Sequence, residues 1–193
     1  DFKVNCFVKN KEFFKKLKKN KILFPKLIKK NSLKQTLIKN LKSFGSQNVK
    51  KLENKNYNLK KNEYFQELID GKRISVQFIS KVHQLRIISV CDQVLKKKTF
   101  FIDYLITKRL SKKKQNQIYT LVKKIVKIFN LKGINNIDII DKKNKLYLIE
   151  INSRPGLSSN IIYKINKSPF IQNKNNLQNN LLATKIIYSS KQI

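Results

Sequence analysis

The stretch Leu146-Tyr-Leu-Ile-Glu150-Ile-Asn152-Ser-Arg154-Pro-Gly156 decides the fold, because it sets an acid, an amide and a guanidinium at alternate positions of an otherwise apolar run. Strand alternation puts Glu150, Asn152 and Arg154 on one face and Ile149 and Ile151 on the other. Burying an unpaired carboxylate between isoleucine and leucine side chains costs several kcal/mol, so the fold must bring it a cation or admit water. With 11 acidic residues in 193, few are available to be spent on an apolar strand.

Upstream, Gly133-Ile-Asn-Asn-Ile-Asp138-Ile-Ile140 reads as a second strand, and Asp141-Lys-Lys-Asn144 supplies the turn between the two. A three-residue loop, Lys142 to Asn144, with Asn144 in the left-handed region, would set Asp138 opposite Leu148 and on the same face as Glu150. Diagonal same-face neighbours lie roughly 7 Å apart, a span that one or two cations with oxygen ligands bridge. Asp138, Glu150 and the Asn152 carbonyl are hard oxygen donors, without sulfur or imidazole, which suits Mg²⁺ or Mn²⁺ and not zinc. A Mg²⁺ with so few protein ligands completes its shell with water and phosphate oxygens, which points to a nucleotide. The alternative is a surface hairpin whose polar face meets solvent.

Asp138 followed by Glu150-Ile-Asn152-Ser-Arg154-Pro-Gly resembles the magnesium-binding hairpin of the ATP-grasp superfamily, especially its compact carbamoyl-phosphate-synthetase-like and carboxylate-amine-ligase-like members. Tyr64-Phe-Gln66-Glu67-Leu68-Ile69-Asp-Gly71-Lys-Arg-Ile-Ser75 is similar to that family's hinge strand and the turn after it. Thr36-Leu-Ile-Lys39-Asn-Leu-Lys42-Ser43-Phe-Gly45-Ser46-Gln-Asn-Val49 is similar to its strand, lysine and glycine-rich loop. Asn10-Lys11, some fourteen residues before Pro25, fits the start of the grasp region. The loop departs from the pattern in holding only Gly45 between Phe44 and Ser46, where close approach to phosphate favours residues without a Cβ.

The resemblance implies an α+β ATP-grasp fold, with two lobes of mixed or antiparallel sheet, packed helices and a nucleotide in the cleft between them. Residues of about 1–66 would form the smaller lobe and about 67–193 the larger. By position, Asp138, Glu150 and Asn152 would ligate Mg²⁺ or Mn²⁺ on the ATP phosphates, and Arg154 would stand beside the transferred phosphoryl group as the catalytic residue. Lys39 and Lys11 would contact the nucleotide, Ser43, Gly45 and Ser46 would form the phosphate loop, and the Gln66, Glu67, Leu68 and Ile69 backbone would meet the adenine edge. The implied activity is an ATP-dependent ligase that activates a carboxylate as an acyl phosphate for attack by an amine or thiol. Alternatives are a non-catalytic or regulatory ATP-binding domain, and a basic nucleic-acid-binding module.

A formal net charge of +33 invites the nucleic-acid reading. The distribution argues against specific recognition: arginine stands only at 73, 86, 109 and 154, and the remaining positive charge is lysine scattered along the chain. Such a surface steers anions such as ATP and carboxylates toward the protein. Cys6 and Cys91 form no motif and read as free thiols of a reducing, cytoplasmic compartment. No run of 18 apolar residues suggests a membrane span. The chain starts without Met, so it is expected to be part of a longer protein with an α/β lobe before the grasp region. Small-molecule substrates are the expected partners, and homo-oligomerisation is left open.

Elsewhere, Asn10 would cap a helix running to Asn20 whose buried side carries Phe13, Phe14 and Leu17. Strand signals follow at Thr36 to Leu41, Val49 to Leu52, Tyr64 to Ile69, Arg73 to Ser80 and Gln84 to Val90. Between Ser111 and Asn130, Ile118, Leu121, Val122, Ile125, Val126 and Phe129 recur at helical spacing, with Gly133 as the stop. Ser159 to Asn180 reads as a loop around the domain, and Leu181 to Tyr188 as an element returning to the core. His83 reads as a turn residue. Arg73 and Arg86, beside the strands after the hinge, are candidates to receive a substrate carboxylate.

Overall fold

A computed structural model describes residues 11–29, 35–41, 48–54, 56–81, 84–166 and 182–187. Among these, Asn10, His83 and Cys6 do not fall, so the expectations placed on them lie outside the described residues. In chain order the elements are α1 (Lys11–Lys19), β1 (Leu27–Ile28), β2 (Thr36–Asn40), β3 (Lys50–Lys51), β4 (Glu63–Glu67), β5 (Lys72–Lys81), β6 (Gln84–Leu95), β7 (Ile102–Thr107), α2 (Lys112–Phe129), β8 (Gly133–Lys142), β9 (Lys145–Asn152), α3 (Ser159–Asn166) and β10 (Ala183–Lys185). They form a four-stranded sheet, β1-β4-β2-β3, and a six-stranded sheet, β10-β7-β6-β5-β8-β9. Every described pairing is antiparallel. The fold is α+β, as the sequence suggests.

The larger sheet has one apolar and one polar face, a direct result of alternation in Ile74-Ser75-Val76-Gln77-Phe78 and Ile137-Asp138-Ile139. Ile74, Val76, Phe78, Ile137 and Ile139 pack with Leu148 and Ile151 against Ile118, Val122, Ile125 and Phe129 of α2. Fully burying each such aliphatic side chain contributes about 1.5–3 kcal/mol relative to exposure. Ser111 caps α2 by accepting from the Lys114 amide, and Asn130 ends it in the left-handed region at φ 49°. Asn130, not Gly133, is therefore the stop; Gly133 already opens β8.

The Phe13, Phe14 and Leu17 side of α1 packs into this same core, with Phe13 5.4 Å from the Phe129 ring. Thus α1, drawn from sequence into the smaller lobe, joins the larger one, while the small sheet keeps its own cluster of Ile38, Leu52 and Phe65.

Two elements lie outside the sequence expectations. The Asn- and Lys-rich segment read as a loop after Ser159 begins with α3, whose Ile161 is buried against Cys91 and Leu105. Phe101-Ile-Asp-Tyr-Leu-Ile-Thr107 supplies β7, to whose outer edge β10 pairs through Ala183↔Ile106 and Lys185↔Tyr104. The element expected within Leu181 to Tyr188 is therefore a strand.

The hairpin differs from its sequence reading in a way that bears on the site. Its turn has two residues, Lys143 and Asn144, both at positive φ (49° and 63°), so Lys142 pairs with Lys145. This is the two-residue turn whose twist suits a hairpin. Counted regularly, Asp138 would face Ile149 and Glu150 would turn away. Instead the register slips between Asp138 and Ile139, so that Ile139 faces Leu148 and Asp138 faces Glu150 directly. The bulge at Ile149 reverses the side-chain phase, leaving Leu148 and Ile151 in the core while Ile149, Glu150 and Asn152 line the cleft. The expectation that Ile149 shares a face with Ile151 is thereby corrected.

Candidate active site

A cleft of about 300 Å³ opens between the two sheets. Its floor is the polar face of β5, β8 and β9, bearing Ser75, Asn136, Asp138, Glu150 and Asn152. Its other wall comes from the small sheet and the segment after β4, with Leu37, Lys39, Glu67, Leu68 and Ile69. Asp138, Glu150, Asn152 and Arg154 are thus brought together with Lys39 and three of the four hinge residues.

Asp138 is the electrostatic centre. Gln93 donates to its Oδ1 at 2.7 Å, Asn136 donates to the same oxygen at 3.3 Å, and Asn152 Nδ2 donates to Oδ2 at 3.4 Å. Ser75 in turn donates to Asn136 Oδ1 at 2.8 Å, fixing that amide. Burial, and then the facing Glu150 charge, pushes the Asp138 carboxyl up to about 6, although its hydrogen bonds with Asn136 and Gln93, and the nearby Ser75 hydroxyl, oppose the shift. Two carboxylates opposed on one ladder rung, with an amide beside them, fit a hard divalent cation, which would relieve this repulsion. Among the described residues no three His, Cys, Asp or Glu side chains gather for a metal; the donor set is two acids and Asn152.

Arg154 is exposed at the cleft mouth, its guanidinium donating to the Pro155 carbonyl at 3.2 Å. The chain after it is fastened to the sheet by Gln77, whose Oε1 accepts from the Gly156 amide at 3.0 Å, Ser158 Oγ at 3.1 Å and Ser159 Oγ at 3.0 Å. Gly156 is required by space: a Cβ there would come 2.6 Å from Asn136 Oδ1. At the other end, Gly71 lets the chain pass β8, where a Cβ would meet the Asp141 carbonyl at 2.8 Å.

Lys39 is buried on β2 opposite Tyr64. Burial first, and the Glu150 charge second, push the Tyr64 hydroxyl above its ordinary pKa. In the hinge, Gln66 is buried with its side chain donating to the Pro25 carbonyl at 3.1 Å. The Glu67 and Leu68 amides donate to the Lys26 and Gln35 carbonyls at 2.8 and 2.6 Å, so these two donors are spent within the smaller lobe. Lys11 opens α1, while its side chain and Ser43, Gly45 and Ser46 lie outside the described residues. Arg86 is exposed and does not line the cleft, whereas Arg73 does.

Sequence reading missed Ser75, Gln77, Gln93 and Asn136. The signal for Ser75 and Gln77 was present as polar residues alternating with buried apolar ones in β5; Gln93 and Asn136 meet them only through the sheet. Cys91 is buried and free, and burial pushes its thiol up to about 12, so it is an inert core thiol. No described helix is long and apolar enough to cross a membrane.

A two-lobed cleft with a carboxylate pair on a β-hairpin, a lysine from the opposing sheet and an adjacent arginine defines a grasp-type domain. Residues 8–158 match the family model described as ATP-grasp domain, and the chain belongs to the ATP-grasp family. An L-amino acid ligase from Bacillus licheniformis superposes with a TM-score of 0.69 at 18% identity, covering 90% of this chain and 46% of that one. N5-carboxyaminoimidazole ribonucleotide synthetase from Thermotoga maritima gives 0.66 at 20% identity, covering 85% and 47%. A putative ATP-grasp superfamily protein from Archaeoglobus fulgidus gives 0.64 at 19% identity, covering 81% and 48%. The chain therefore spans about half the length of these structures. No curated protein matches the sequence.

Proposed function

We propose that this domain is the ATP-binding part of a ligase that phosphorylates a substrate carboxylate with ATP and passes the acyl group to an amine or thiol, releasing ADP and phosphate. The observation that carries the reading is the direct opposition of Asp138 and Glu150, beside Asn152, inside a cleft that Lys39 closes from the other sheet. Amide formation is the preferred outcome, in keeping with the ligase and synthetase named among the structural neighbours.

Asp138, Glu150 and the Asn152 carbonyl are the residues that would hold Mg²⁺ or Mn²⁺; such a cation, when bound, neutralises phosphate charge during phosphoryl transfer. Lys39, a point charge on a buried strand, attracts the phosphate chain from the opposite side. The Arg154 guanidinium stands at the mouth, where its planar fork would receive the carboxylate and the phosphoryl oxygens moving onto it. Leu68 and Ile69, with Leu37 and Ile140, supply apolar walls on which an adenine ring would rest. The carboxylate is ionised at neutral pH and needs no base to attack the γ-phosphorus. Steric positioning and cations around the developing charge are then the main contributions of the protein. A cytoplasmic setting suits the free Cys91 thiol.

The test is ADP release from Mg-ATP by the full chain with a panel of L-amino acids and simple carboxylates, together with hydroxylamine trapping of the acyl phosphate as a hydroxamate. Carboxylate-dependent ADP release with hydroxamate formation is expected. ATP binding without either product, across the panel, would instead fit the non-catalytic nucleotide-binding alternative.

A further inference from the structure

Arg73 lies at the start of β5, opposite Ile140 of β8 and two residues before Ser75, which faces Asp138. Its side chain leaves the sheet on the cleft side, where the guanidinium carbon sits 5.5 Å from the centre of the Phe100 ring. Burial pulls this guanidinium below its ordinary pKa, and the charge of Asp138 pulls it part of the way back. Among the described residues it nevertheless makes no hydrogen bond and no ion pair.

Two other partly buried cations are paired: Lys108 holds Asp92 and Lys114 holds Asp141, both at 2.7 Å. Arg73 is only partly buried, and among the described residues none of its nitrogens is a buried atom without a partner, so its five N–H donors face the open cleft, where a ligand supplying anionic oxygens would meet them as a planar fork. Leu95, Phe101 and Ile102 line the same cleft as Arg73, and apolar surface beside a cation strengthens a charge-assisted bond made there. Along the strand, Arg73 stands about 7 Å from Ser75, two residues of rise. A ligand that meets Arg73 at one end and, at the other, a cation held by the Asp138–Glu150 pair would carry more than one negatively charged group in line, and a polyphosphate provides them in one molecule.

We propose that Arg73, seated on Phe100, is an anion subsite of the cleft that takes phosphate oxygens of the bound nucleotide through its planar fork. The assignment rests on the cleft being the nucleotide site proposed above.

Calorimetric titration of the full chain with Mg-ATP and with adenosine tests it, on the wild type, Arg73→Lys, Arg73→Met and Glu150→Gln. Arg73→Met should weaken Mg-ATP binding about ten- to a hundredfold and leave adenosine unchanged. Arg73→Lys, which keeps the charge and loses the fork, should fall between. The melting temperature of Arg73→Met should drop only slightly, because among the described residues the wild-type guanidinium holds no acceptor, and its contact with the Phe100 ring is one that a methionine side chain can also make. Mg-ATP affinity unchanged in Arg73→Met but lost in Glu150→Gln would overturn the Arg73 assignment alone. Equal losses for ATP and adenosine, or a large fall in melting temperature, would make Arg73 structural and also overturn it. Failure of the wild type to bind Mg-ATP would overturn this subsite and the functional reading together.

Discussion

Removing the charge of Asp138 should stabilise the metal-free protein while destroying its cation site. An aspartate titrates at 3.8 before folding, and this one is pushed up to about 6 in the fold. The folded chain therefore holds this proton more tightly. The stability that comes from a neutral Asp138 is fully present below 3.8 and is lost as pH rises through about 6. The difference, about two pKa units at roughly 1.4 kcal/mol each, amounts to a cost of about 3 kcal/mol at pH 7.5. Asp138→Asn avoids that cost but turns an amide toward the Asn152 Nδ2 donor 3.4 Å away, forfeiting a bond worth about 1 kcal/mol. Urea unfolding without divalent ions should then show Asp138→Asn more stable than wild type by about 1–2 kcal/mol at pH 7.5. The sign should reverse near pH 4, where wild-type Asp138 is mostly protonated in the folded protein. Saturating Mg²⁺ should raise wild-type stability at pH 7.5 and leave the variant unmoved. A variant less stable than wild type by the same amount at both pH values would show that Asp138 is a structural carboxylate, and refute the argument from facing charges.

Gln77→Met should free the segment after Arg154 by removing three hydrogen bonds to one oxygen. Amide exchange at 156–159 should accelerate at least tenfold, and unchanged exchange would show another anchor. Gly156→Ala should cost about 1–3 kcal/mol in chemical unfolding, because its Cβ must displace Asn136, which also holds Asp138. It should weaken Mg²⁺-dependent ATP binding as well. Ile125→Ala, in the fully buried stripe of α2, should cost about 2–5 kcal/mol without altering the Mg²⁺ dependence of ATP binding in the folded fraction.

What was legible in the sequence was local. The acid, amide and guanidinium around Glu150, the apolar stripe of α2 and the alternation in β5 are patterns of period two or 3.6, and each gave the right element. The register of the hairpin was not legible, because the residues of the bulge, Ile149 and its neighbours, carry no mark that distinguishes them from a regular strand. Only the folded ladder shows that a one-residue slip is what turns Glu150 toward Asp138. The two-residue turn was missed because Lys143 is an unusual occupant of the left-handed region, where Asn and Gly are the common signals. The start of α3 lies in a segment whose Asn and Lys content resembles a loop, and its burial depends on Cys91 and Leu105 from distant strands. Gln93 and Asn136 act on Asp138 from different strands of the sheet, a relation that spacing along the chain does not encode. Arg73 was noticed for its type, but the absence of an acceptor around it needed coordinates to see.

The most direct measurement is calorimetric titration of ATP, with and without Mg²⁺, into the full chain and into Glu150→Gln. Glu150 faces Asp138 across one rung, so its carboxylate is needed for a cation between the lobes. The account predicts Mg²⁺-dependent ATP binding that is lost or weakened at least tenfold in Glu150→Gln. ATP binding of equal strength in both proteins and indifferent to Mg²⁺ would contradict it, and would mean that lysines scattered over a +33 surface attract the polyanion without a built site.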